Sequence, residues 1–221
     1  MNQELIHVYL MPGMAASPTI FEYIKLPEDQ FEIHWLEWFL PESYNETLEA
    51  YAQRMSKKIK HDNSVLLGVS FGGILVQEMS KYLKLKKLII VSSVSRSSEL
   101  PRRLKVLRST KLYKLLPTQL ASNIDLLAKY AFGKTVTKRL ELYKKYLSVN
   151  DKRYLNWAIK QLVYWEQSVT IPNAIHIHGE KDIVFPMKHI HDCIIVKGGS
   201  HIMIIQKYKW FNENLPKLIL D

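Results

Sequence analysis

Apolar positions along the first 95 residues follow two alternating rhythms. Leu5 to Leu10 is a short apolar run ending at Pro12-Gly13, and Phe31 to Leu36 alternates polar and apolar side chains. Ser64 to Gly68 and Leu88 to Ser92 are further short runs rich in valine, isoleucine and leucine. Each has the length and composition of a β-strand. Between them lie helical patterns. A short helix is expected after Ser17-Pro18, where serine caps and proline suits the first turn. Leu48, Ala52, Met55 and Ile59 form a stripe at helical spacing from Glu46 to Ile59, preceded by Asn45. Phe71 to Tyr82 reads as another helix. Strands alternating with helices imply a parallel sheet covered on both faces.

The rhythm changes after Ser93. From Glu99 to Gln167 the pattern is helical, with breaks near Pro117, Gly133 and Asn150, and no strand stands out. Strand character returns at Ala174–His178 and Cys193–Lys197, a helix start is expected at Pro186, and His201–Leu215 reads as a closing helix. The organisation expected is a core formed by 1–95 and 168–221, interrupted by a helical insertion at 96–167. Such a block would lie over the sheet's carboxyl edge, where open α/β folds bind ligands.

Composition narrows the class. At 221 residues the chain suits one sizeable core with an insertion, and its 47% hydrophobic content is that of a globular protein. No apolar run reaches the roughly 18–20 residues of a membrane span. The start has no basic region before its apolar stretch, so it reads as a first strand rather than a secretory signal. A single cysteine, Cys193, fits a reducing compartment, and the expected location is the cytoplasm.

The net charge of +10 arises in one place. Between Ser97 and Glu166 there are 15 basic against 5 acidic residues, while the rest of the chain holds 16 of each. Solvated helix faces are the plain explanation. A field that draws in an anionic substrate or carrier, such as acyl-carrier protein or a coenzyme A thioester, is the sharper one. Nucleic acid is disfavoured because no recognition motif accompanies the charge.

The chemistry concentrates at Gly68-Val69-Ser70-Phe71-Gly72, with a further glycine at Gly73. This pentapeptide lies between an expected strand and an expected helix. A serine hydroxyl is a weak nucleophile until a base takes its proton, so it must stand clear of the backbone. A sharp turn projects it, and small residues on either side let strand and helix approach. The base and its orienting acid should follow later strands at the same edge. After Ala174–His178 comes Gly179-Glu180-Lys181-Asp182; Asp182 is favoured over Glu180 because it lies further into the loop, with a turn-forming role as its alternative. After Cys193–Lys197 comes Gly198-Gly199-Ser200-His201, a tight loop that returns a histidine over the strand ends. No metal site is expected: His189 and His191 read as surface residues, and His176 and His178 share a strand face without a third ligand.

The order Ser70, Asp182, His201, with these three loops, resembles the α/β-hydrolase superfamily. The resemblance covers nearly all of the core, with 96–167 in the place of the family's variable helical cap. It implies a mostly parallel sheet of about six strands flanked by helices. It also implies a cofactor-free serine hydrolase acting on a carboxylic ester or thioester through an acyl-enzyme. Backbone N–H groups of Met14 and Phe71 would form the oxyanion hole. Two departures stand out. Family members usually have two extra strands before the first loop, so the sheet is expected to be trimmed to about six, and Pro12-Gly13 replaces the usual His-Gly, removing a histidine that braces that loop. Acyl transfer on the same scaffold and a non-catalytic binding protein are the alternatives.

Overall fold

The computed structural model describes residues 5–110, 145–147 and 149–221. Six parallel strands form one sheet: β1 (Ile6–Met11), β2 (Phe31–Trp35), β3 (Ser64–Val69), β4 (Leu85–Val91), β5 (Ile175–Gly179) and β6 (Ile194–Val196). Their order is β2-β1-β3-β4-β5-β6. From β1 the chain steps outward to β2, then returns past β1 to β3 and continues the other way. The direction therefore reverses between β1 and β3. The loops leaving those two strands diverge and open a crevice at the carboxyl edge, the place where doubly wound sheets hold ligands.

β3 is buried at every position from Ser64 to Val69, as expected of a central parallel strand with helices on both faces. Helix α1 (Leu48–Ser56) packs against α2 (Phe71–Met79), the helix that follows β3. Thr47, rather than Asn45, caps α1 by accepting the Ala50 N–H at 3.1 Å. All of α2 is buried, including Gln77 and Glu78. Gln77 donates to the carbonyls of Gly73 and Val94, both at 2.9 Å, and Trp165 Nε1 donates to Glu78 at 2.9 Å. Paired in this way, the polar side chains avoid the penalty of unsatisfied burial.

The remaining helices are α3 (Arg102–Thr110), α4 (Lys152–Tyr164), α5 (Met203–Gln206) and α6 (Tyr208–Leu220). Asp151 caps α4 through the N–H groups of Arg153 and Tyr154. The buried face of α4 lies over the core. Trp157 stands 4.4 Å from the Tyr51 ring and donates from its indole to the Glu46 carbonyl at 2.8 Å. Tyr154 packs beside Trp38 with ring centroids 5.3 Å apart. Several aromatic residues between β4 and β5 thus fasten this stretch to the rest of the fold. The expected breaks near Pro117 and Gly133, Tyr143, and seven of the segment's basic residues lie outside the described residues.

Three expectations need correction. The closing helix is two helices, and α6 runs past Leu215 through Pro216. Phe211, Leu215 and Ile219 are all buried at four-residue spacing, and that packing outweighs the missing proline N–H. Pro186 begins only a single 3₁₀ turn, Met187–His189. Pro18 likewise opens a 3₁₀ turn, and Ser17 bonds the Thr19 hydroxyl instead of capping backbone.

Candidate active site

Ser70 sits at the junction of β3 and α2 with φ 55° and ψ −120°. Left-handed φ is strained for a residue with a Cβ, and here it lifts the side chain off both elements. Neighbouring groups hold the strain in place. Ser70 N–H donates to the Val91 carbonyl at 2.9 Å, and the Ser93 hydroxyl donates to the Ser70 carbonyl at 2.7 Å. The flanking glycines are required by contact. A Cβ at Gly68 would lie 2.3 Å from the Gly72 carbonyl oxygen, and one at Gly72 would lie 2.3 Å from that of Pro12.

The loop after β6 carries His201 back over the sheet. Its Nε2 lies 2.9 Å from Ser70 Oγ and its Nδ1 lies 2.9 Å from Asp182 Oδ2. Asp182 comes from the loop after β5. Its other oxygen, Oδ1, accepts the N–H groups of Val184 at 2.8 Å and Phe185 at 2.9 Å, so the side chain also performs the turn-forming role. The Asp182 side chain is fully buried. Burial alone would raise its pKa, but the neighbouring His201 charge and hydrogen bond, His178 and the Phe185 N–H together bring it below the ordinary aspartate value. Glu180 points elsewhere, accepting the Gly198 N–H at 2.7 Å. The structure therefore brings Ser70, His201 and Asp182 together and leaves Glu180 out.

An ionised carboxylate only accepts hydrogen bonds, so His201 carries its proton on Nδ1. Its Nε2 is then the acceptor facing the Ser70 hydroxyl. Behind Asp182, the buried His178 ring places Nε2 2.8 Å from the Phe185 carbonyl and 3.4 Å from Asp182 Oδ2. Burial lowers the pKa of His178 and brings that of His176 to about 3, so both stay neutral across the physiological range.

Met14 and Phe71 line the same cavity as Ser70 and His201. Among the described residues neither backbone N–H has a hydrogen-bond partner. The first loop touches the nucleophile directly, since a Cβ on Gly13 would sit 3.4 Å from Ser70 Cβ. That loop is braced by Trp38, whose Nε1 donates to the Gly13 carbonyl at 2.8 Å. Trp38 also stacks on Phe71 with ring centroids 5.4 Å apart and planes 14° apart. One indole thus contacts the residues bearing both candidate oxyanion donors or their immediate neighbours. Sequence reading missed it; its signal was a tryptophan just beyond the carboxyl end of β2.

The cavity is about 110 Å³ and apolar, with Ala16, Ile20, Leu147, Leu162, Val184 and Ile205 among its walls. Sheet order, elbow and three loop ends now converge on one arrangement. The chain has the α/β-hydrolase fold. Solved structures with this fold superpose over almost the whole chain. A bromoperoxidase from Bacillus anthracis matches at TM-score 0.69 and 18% identity, covering 100% of this chain and 94% of that one. An enol-lactonase from Burkholderia xenovorans LB400 matches at TM-score 0.70 and 14% identity, covering 99% and 93%. A thermophilic esterase from Thermogutta terrifontis matches at TM-score 0.65 and 18% identity, covering 96% and 90%. No family model matches the sequence, and no curated protein matches it.

Within this α/β-hydrolase fold the described basic residues of the inserted segment mostly have local roles. Arg103 donates to the Val184 carbonyl at 2.7 Å, beside the Asp182 loop. Lys145 bonds Glu22 at 2.6 Å, Lys160 bonds Asn45 at 3.0 Å, and Arg108 pairs with Glu166. Among the described residues no helix is long and apolar enough to cross a membrane.

Proposed function

We propose that the chain is a serine hydrolase that cleaves a carboxylic ester or thioester through an acyl-enzyme. One observation carries the reading: His201 is within 2.9 Å of both Ser70 Oγ and Asp182 Oδ2, from opposite ring nitrogens. His201 Nε2 takes the Ser70 proton as Oγ attacks the acyl carbonyl. The N–H groups of Met14 and Phe71 hold the resulting oxyanion. Collapse expels the alcohol or thiol, which receives the proton from His201. A water then surrenders a proton to His201 and attacks the acyl-enzyme; the carboxylic acid leaves as His201 returns that proton to Ser70 Oγ. Asp182 keeps the imidazole in the working tautomer and stabilises its protonated form. The names of two similar structures, an esterase and an enol-lactonase, agree with ester chemistry. Acyl transfer would differ only in which molecule attacks the acyl-enzyme.

The test uses Asp182→Asn. Its Oδ1 still accepts the Val184 and Phe185 N–H groups, so the loop keeps its shape, while its Nδ2 donates towards His201 Nδ1. The histidine is forced into the wrong tautomer, and kcat on a p-nitrophenyl ester should fall about 10⁴-fold in a variant that circular dichroism shows to be folded. Near-parental kcat in that variant would remove Asp182 from the mechanism.

A further inference from the structure

Three histidines that the active site does not use meet on one face of the sheet, beside its β2 edge. His7 lies in β1, His34 in β2 and His61 in the loop that enters β3. The sequence separates each from the next by 27 residues, which is why no local motif announced them. Register brings them together. His7 pairs with Glu32 and Tyr9 with His34 across the parallel strands. Side chains two apart on a strand share a face, so His7, Tyr9, Glu32 and His34 project from the same side. His61 completes the group from above.

The donor atoms converge closely. His7 Nδ1 is 2.9 Å from His34 Nε2 and 3.3 Å from Glu32 Oε2, and His34 Nε2 is 3.8 Å from Glu32 Oε1. The His61 ring stacks on His7 with centroids 3.4 Å apart. One ring nitrogen from each of the three histidines lies within 4.8 Å of the others. The Tyr9 hydroxyl, 2.8 Å from His61 Nδ1, orients the third ring and is itself fixed by the Lys60 N–H at 3.0 Å. The half-buried rings adjoin an open cleft of about 830 Å³ lined by His34, His61 and Tyr9.

Three imidazoles and a carboxylate are a donor set with a definite chemical preference. Imidazole nitrogen suits zinc, copper and nickel, whereas magnesium and calcium take oxygen ligands. Zinc–nitrogen bonds of about 2.0–2.1 Å set tetrahedral ligand atoms about 3.4 Å apart, within the spread seen here. Glu32 adds negative charge beside the rings and offsets Lys58 and Lys60, which line the same cleft. We propose that His7, His34 and His61, with Glu32 as the fourth ligand, bind a divalent first-row transition ion, zinc fitting best. The ion clips the edge strand β2 and the loop before β3 onto β1. Closing two long stretches of chain restricts the unfolded state as well as the folded edge. The site has no part in the hydrolase reaction. His7 is near the beginning of β1, while Ser70 and Met14 follow the carboxyl ends of β3 and β1.

Purified chain, stripped with a chelator and titrated with zinc chloride against a competing chromophoric chelator, tests this. One zinc per chain should bind, and zinc should raise the melting temperature. His34→Gln and His61→Gln should each weaken binding at least about tenfold, and the pair together should abolish the thermal shift. His61→Gln alters a loop position only, and circular dichroism verifies that each variant is folded. A control, His189→Gln/His191→Gln, should bind zinc like the parent. Equal zinc affinity in the parent and the His34→Gln/His61→Gln variant would overturn the proposal. So would a folded parent that binds no zinc, which would leave the cluster as a hydrogen-bonded histidine stack.

Discussion

The indole N–H of Trp38 donates to the carbonyl of Gly13 at 2.8 Å and fixes the loop that faces the nucleophile. This replaces, from another strand end, the bracing that Pro12-Gly13 lacks. Trp38→Phe keeps an aromatic ring against Phe71 but removes the donor. The Gly13 carbonyl keeps the Ala16 N–H at 3.1 Å but loses the indole donor, at a cost of about 0.5–1.5 kcal/mol. Met14 then loses its fixed position, and kcat should fall about tenfold or more, approaching the 10²–10³ associated with a lost oxyanion donor. Steady-state kinetics beside a thermal melt separate the two effects. A destabilised variant with parental kcat would show that the bond serves the fold alone.

The cavity walls predict substrate selection. Leu162 reaches the cavity from α4, and Ile205 lines it from α5. Each methylene buried there gains about 0.8 kcal/mol. Leu162→Trp should occupy this space, lowering kcat/KM for an octanoyl ester at least tenfold while an acetyl ester of the same alcohol changes little. Equal losses on both esters, or a parent indifferent to acyl length, would contradict an acyl pocket in this cavity.

Stability should depend on pH well above the carboxylate range. Burial depresses the His176 pKa from its ordinary value of 6.5 to about 3. Between those values the unfolded chain binds a proton that the folded chain refuses. Stability is therefore full above about pH 6.5 and falls as pH drops towards 3, by about 1.4 kcal/mol per pH unit from this one group. The lowered Asp182 works in the same direction at lower pH, since its contribution is full above its unfolded value and is lost as pH falls through its folded value. Denaturant melts from pH 7.5 to 4.5 should show this slope, and His176→Gln should flatten it. Identical slopes in parent and variant would assign the acid sensitivity to other groups.

The elements that carried local signals were legible in the sequence. Val65, Leu66 and Leu67 mark β3 as a central strand, and glycines on both sides of Ser70 mark the turn. The residues forced together by the fold were not. His7, His34 and His61 are isolated in sequence and meet only because parallel register and the loop before β3 bring them to one face. Trp38 was silent for the same reason, since its partner Gly13 is reached across the carboxyl edge. The helix across Pro216 illustrates the converse case, in which a strong local breaker gives way to burial of Leu215 and Ile219.

The central claim is that Ser70 is an activated nucleophile. Intact-mass spectrometry after exposure to a fluorophosphonate measures this directly, because the reagent labels a serine whose proton a neighbouring base removes. The account predicts one adduct per chain, mapped to Ser70, absent in Ser70→Ala and formed orders of magnitude more slowly in His201→Ala. No adduct on the folded parent, or the same adduct on Ser70→Ala, would contradict it.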